Sequence, residues 1–163
     1  MKTLIIDSKK DQFYYVLMCP HITSFDENTD EKCRLICEKR KKAKWNELVL
    51  YEWENKIGVA GTGDTSLQGG TGYPNSIKEF YLLDIQGLVL RNMRPAQGVG
   101  FVSLEIKLNS GEDKEMFLFF LKDNTSDVAR WDKRVKLFEY EVLPGILSFM
   151  NKPLLRRVEG YNS

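Results

Sequence analysis

Residues 101–108, Phe101-Val102-Ser103-Leu104-Glu105-Ile106-Lys107-Leu108, alternate strictly after the first position. Val102, Leu104, Ile106 and Leu108 share one side, and Ser103, Glu105 and Lys107 the other. That period of two is the mark of a strand with one buried face. Asn109-Ser110-Gly111-Glu112-Asp113 follows as a hairpin turn, and 116–121 returns as the partner strand. The period then changes. Val128, Trp131, Val135, Phe138 and Val142 recur at spacings of three and four, which is the seam of an amphipathic helix. Arg130, Lys133 and Lys136 lie on the opposite face. The spacing predicts a helix over about 126–143, with caps among 123–126 and a break at Pro144-Gly145.

Upstream of this hairpin, strands recur. Phe80-Tyr81-Leu82-Leu83-Asp84-Ile85 and Leu88-Val89-Leu90 read as one or two, and Phe13-Tyr14-Tyr15-Val16-Leu17-Met18 as an early one. Cys33-Arg34-Leu35-Ile36-Cys37 reads as a short strand after an acidic, turn-rich loop over 23–32. Residues 45–53 form another, with Trp45, Glu47, Val49, Tyr51 and Trp53 on one face and Leu48 and Leu50 on the other. Ile57 to Ala60 resumes after a turn at Glu54-Asn55-Lys56. Residues 58–76 read as a Gly-rich insertion, 1–12 as a flexible N-terminal end and 153–163 as a tail, leaving a domain over 13–152. Several antiparallel strands followed by one late helix make an α+β, mainly β fold. A bent sheet or barrel whose open end the helix plugs is the pleckstrin-homology-like (PH-like) architecture; a flatter sheet with the helix across one face is the competing layout.

The chain has 163 residues, 42% of them apolar and 29% charged, with a net charge of +1. It has no apolar run near the roughly 18 residues that span a bilayer, and the short run after Met1 ends at Asp7, so a cytoplasmic setting is expected. A near-zero charge gives no global field to select nucleic acid. A single histidine, His21, would have to serve every histidine-dependent triad or metal cluster. With Cys19, Cys33 and Cys37 it could be counted as four zinc ligands, but an i, i+4 cysteine pair is not the tight turn zinc sites use. Gly58, Gly61 and Gly63 lack a following helix start and a Gly-Lys-Ser/Thr sequence, so a phosphate cradle is not expected. Carboxylate pairs such as Glu52/Glu54 sit where solvated charge is the default. No catalytic residue, metal or cofactor is expected, and the class indicated is a non-catalytic interaction module.

Two sets of candidate binding residues stand out. Trp45, Tyr51 and Trp53 make an aromatic row on one strand face, and Phe149 and Met150 follow the helix break; both suit a protein partner met along a sheet edge and helix. Lys39, Arg40, Lys41, Lys42 and Lys44 form the densest basic patch, suited to phosphoinositide or another anionic membrane lipid. The Arg-x-Arg-like pair that lipid-binding PH domains place on the next strand is replaced here by Trp45-Asn46-Glu47.

The stretch from 78 to 123 resembles a family pattern. Phe80-Tyr81-Leu82-Leu83-Asp84-Ile85 and Leu88-Val89-Leu90 are followed by Arg94-Pro95, Gly98-x-Gly100, Ser103-Leu104-Glu105-Ile106, Gly111, and Phe117-Leu118-Phe119-Phe120 with Asp123. This layout is similar to the N-terminal PH-like domain of yeast Gyp-type and related TBC-type Rab GTPase-activating proteins. The chain departs from it at Ala96, where that family has a second proline, and at Lys122, where it has histidine. The catalytic TBC portion is not in this sequence. The resemblance implies a targeting or Rab-binding module in membrane trafficking, not GTPase activation.

Overall fold

The computed structural model describes residues 1–6, 12–18, 26–39, 47–61, 74, 76–123 and 125–162. Half of these residues are in strands, so the α+β, mainly β class holds. The strands form two sheets. The first has four, in the order β1 (Lys2–Ile6), β3 (Leu48–Trp53), β4 (Lys56–Gly61), β5 (Ser76–Tyr81). The second has five, in the order β2 (Phe13–Val16), β8 (Asp113–Leu121), β7 (Phe101–Leu108), β6 (Ile85–Pro95), β9 (Leu154–Asn162). A 3-10 turn at Leu82–Asp84 carries the chain from one sheet to the other. The sheet is bent but does not close into a barrel. All pairings are antiparallel except β6 with β9.

The expected hairpin is present: β7 and β8 pair around a turn in which Gly111 takes φ +92°, a conformation that favours glycine. Val102, Leu104 and Ile106 enter the main core with Leu88, Leu90, Phe117 and Phe119. Phe13, Phe119 and Phe138 pack ring to ring, with centroids 5.0, 6.1 and 4.4 Å apart. Over this core lie α2 (Val128–Glu141) and α3 (Leu143–Met150). Trp131, Val135 and Phe138 are the buried members of the expected seam. The N-cap is Asp127, one residue beyond the expected caps; its carboxylate accepts from the backbone N–H groups of Ala129 at 3.0 Å and Arg130 at 3.3 Å. The break falls at Val142, and Pro144 sits in the first turn of α3, where its missing N–H has no partner to lose.

Four expectations need correction. Residues 33–37 are helical, inside α1 (Thr29–Lys39). The inward residues Thr29, Lys32, Cys33 and Ile36 follow helical spacing, but a lysine among them breaks the apolar stripe that would announce a helix. Residues 2–6 are β1, paired to β3 from Lys2↔Glu52 to Ile6↔Leu48, rather than part of a loose end. Residues 154–162 are β9 rather than a tail. Gly58 and Gly61 belong to β4; the rest of the Gly-rich stretch, 62–73 and 75, lies outside the described residues.

The first sheet is buried on both faces. Leu48, Leu50, Ile57 and Val59 point into the main core, while Val49, Tyr51, Ala60 and Ile77 form a second cluster with Cys33 and Ile36 of α1. Ile146 and Met150 of α3 are buried, while Leu147 and Phe149 pack half-buried against the core. Met150→Ala should therefore cost about 2–5 kcal/mol, and Phe149→Ser clearly less, both read from chemical denaturation midpoints. Equal effects would contradict this placement.

Candidate functional site

The face of β6 that carries Leu88 and Leu90 into the core continues outward as Asn92 and Arg94. There it meets α2 on one side and β9 on the other. The three elements enclose a cleft of roughly 250 Å³ whose lining includes Asn92, Arg94, Asp132, Lys136, Arg157 and Glu159. At its floor the Trp131 indole N–H donates to Asn92 Oδ1 at 2.7 Å. Arg94 Nε donates to both Asp132 oxygens at 2.8 and 3.1 Å, and Arg94 Nη2 to Glu159 at 2.9 Å. The Tyr161 ring lies 5.8 Å from the same guanidinium. Arg157 Nε donates to Glu139 at 2.8 Å. Glu159 chiefly, with Asp132, holds the Arg94 guanidinium still further above its ordinary value, against burial. Three elements are thus tied by alternating charge.

β9 forms the outer wall of this cleft. None of its nine side chains is buried. It is held by its backbone pairing to β6, with a register shift between Leu88↔Leu154 and Val89↔Arg156 that leaves Leu155 as an extra residue. Gly87 makes the close approach possible: a Cβ there would stand 2.7 Å from the Pro153 carbonyl oxygen, which is backbone and cannot yield.

A second polar cluster fastens α1 to the first sheet. Lys32, 1% exposed, donates to Asp26 at 2.9 Å and to Glu79 at 2.9 and 3.2 Å. The Tyr51 hydroxyl donates to the same Glu79, which is itself buried. Burial works against the ammonium, yet the hydrogen bonds to Asp26 and Glu79 leave it above its ordinary value. The hydrogen bond from Lys32 holds the Asp26 carboxyl below the usual carboxylate range. Burial and Glu79 push the Tyr51 phenol far up, so it stays a neutral donor.

The expected site residues scatter. Trp45, Arg40, Lys41, Lys42 and Lys44 lie outside the described residues, as do Cys19 and His21. Lys39 is exposed in the last turn of α1. Tyr51 is interior, its ring laid over Gly58 on the neighbouring strand, so it presents no surface to a partner. Trp53 is half-buried beneath Lys32, 5.7 Å from its ring centre. Met150 is interior and Phe149 half-buried, with Lys2 over its ring. Cys33 is buried on α1, with Cys37 half-buried. In the sequence Arg94 stands out only within the Arg94-Pro95 and Gly98-x-Gly100 pattern and Lys136 only on the helix's outer face; Asn92, Asp132, Arg157 and Glu159 carry no signal there. The structure gives that pattern a local role: Gly100 packs against Pro95 and the Trp131 ring, and Gly98 against Asn162. No family model, curated protein or solved structure matches the chain.

Lys32→Met strips Glu79 of its closest cation and should destabilise the fold by about 3–5 kcal/mol; Lys32→Met/Glu79→Met/Tyr51→Phe should recover most of that in urea melts. Because the folded Asp26 is more acidic than its unfolded value near ~3.9, the unfolded chain binds more protons in the window between the two. Stability from this pair is present above that unfolded value and is lost as pH falls through the folded one. Asp26→Asn should flatten the acid limb of a stability–pH curve; an unchanged limb contradicts the assignment.

Proposed function

We propose that this chain is a non-catalytic, PH-like protein-interaction module that binds a partner, an extended peptide or a small GTPase of the Rab type, along β9 and the neighbouring surface of α2. The observation that carries the reading is β9 itself. It is a nine-residue strand, paired on one side only among the described residues, with every side chain at least partly open to solvent. An unpaired edge of this length is a template for an added strand. Beside it, α2 presents Tyr140, 80% exposed, one residue from the cleft's Glu139. The non-catalytic part of the reading draws support from the buried Lys32–Glu79 pair, whose polar atoms bond one another, Asp26 and Tyr51.

Among the described residues no helix is long and apolar enough to cross a membrane. A cytoplasmic setting with recruitment to membranes belongs to the proposal. The alternative, an anionic-lipid adaptor using 39–44, draws only on exposed Lys39 among the described residues. Fluorescence polarisation against GTP-loaded Rab proteins and an extended-peptide library is the direct test. At least one ligand should bind, and Tyr140→Glu/Tyr161→Glu should weaken it tenfold or more without changing the circular dichroism melt. A folded chain that binds nothing in either set refutes the reading.

A further inference from the structure

The edge that β9 leaves open among the described residues has a sequence complementary to itself, and we infer that the partner it fits is a second copy of this chain, paired antiparallel through β9 about a two-fold axis at Val158. This rests on the interaction-module reading above and names one partner for its edge.

Backbone direction decides which residues can pair. Pro153 accepts from Leu88 N–H at 2.9 Å, and Asn162 accepts from Gly98 N–H at 3.0 Å in the loop that follows β6. Backbone groups of successive strand residues point to opposite sides. With the extra residue at Leu155, both bonds agree: Arg156, Val158, Gly160 and Asn162 turn their N–H and C=O toward β6, and Arg157, Glu159 and Tyr161 turn theirs to the open edge.

Register follows from charge. Residues opposite one another in a two-fold antiparallel pair must lie on the same face of the sheet, so the axis passes through a residue. An axis at Arg157 sets two guanidinium groups opposite each other, and one at Glu159 sets two carboxylates. An axis at Val158 places each Arg157 opposite the Glu159 of the second copy, with Val158 facing its own equivalent. Arg157, Glu159 and Tyr161 are the residues of that face whose backbone is free to bond outward, so the ladder permits the register at Val158, and the Arg157–Glu159 pairs select it. Both side chains are accessible, at 53% and 54%. Each already has an internal partner, Glu139 and Arg94, so association extends two short charge rows into one that crosses the axis. Exposed Leu155 and Tyr161 stand at the ends of the joined strands, where covering them removes apolar surface from water. The two five-stranded sheets become one of ten strands.

An edge of this length is smaller than the roughly 1,600 Å² typical of stable interfaces. Reversible association is therefore expected between about 10 μM and 1 mM. Sedimentation equilibrium on the full chain should show a monomer–dimer equilibrium in that range. Arg157→Glu and Glu159→Arg should each be monomeric, because each sets like charges across the axis. An equimolar mixture of the two should associate again, since their charges then complement. Circular dichroism melts check that both variants remain folded. For the unaltered chain, amide hydrogen exchange at Arg157 and Glu159 should slow as concentration rises, while that at Val158 and Gly160 stays constant. A chain monomeric throughout, a dimer that survives both substitutions, or a mixture that fails to associate overturns the self-pairing. A monomer that still binds a Rab protein or peptide overturns only the self-pairing and leaves the module reading standing.

Discussion

The burial of Trp131 against β6 is the constraint on which the second half of the molecule depends. Its ring packs on Gly100, its indole N–H is satisfied by Asn92 at 2.7 Å, and the side chain is 2% exposed. Burying an indole of this size contributes strongly to stability, but an unsatisfied N–H would cost much of that gain. Asn92 therefore fixes the ring in one orientation, and α2 with it. Once α2 is set, Asp132 meets Arg94 of β6 and Glu139 meets Arg157 of β9, while Arg94 reaches on to Glu159. The cleft, the path of β9 and the exposed side of α2 all follow from how one tryptophan is held.

The two sheets are assembled by different means. The second is a conventional apolar construction in which aromatic rings and branched side chains interlock. The first carries α1 on its far face through a small apolar cluster and an ionic one. Buried ion pairs contribute little net stability once desolvation is counted, but breaking one partner is expensive. Lys32 thus acts less as a source of stability than as a key that admits one seating of the helix, the one in which its ammonium reaches Asp26 and Glu79 together.

Much of this was legible in the residues, for physical reasons that also explain what was not. The α2 seam and the outer part of β7 have one wet face, and periodicity reports that contrast directly; Ser103 of β7, read as outward, is buried, and Met116 to Phe119 of β8 are buried on both faces. α1 hides because a lysine occupies an inward position, and its neutralising partners, Asp26 and Glu79, lie 6 and 47 residues away along the chain. Tyr51 reads as a surface aromatic because a strand's two faces look alike in sequence when both are buried. β9 carries no pattern, since a strand held by backbone bonds over Gly87 need not alternate. The cleft escaped because its parts, Arg94, Asp132 and Glu159, are ordinary surface residues until the topology brings them together.

The double burial of the first sheet sets a distinct pattern of tolerance to substitution along the chain. Four successive residues of β3, Leu48 through Tyr51, have no wet side, so a saturation survey of variants should find an unbroken block of intolerance there. In β7 the same survey should record a short block at Val102 to Leu104 and then only Ile106. In β9 side chains apart from Arg157, Glu159, Tyr161 and Asn162 should be largely interchangeable, while proline is rejected at the residues whose amides face β6. The three strands share one secondary structure and would leave three different signatures in a lineage of drifting sequences, because what each position answers to is the number of neighbours around it rather than the conformation it adopts.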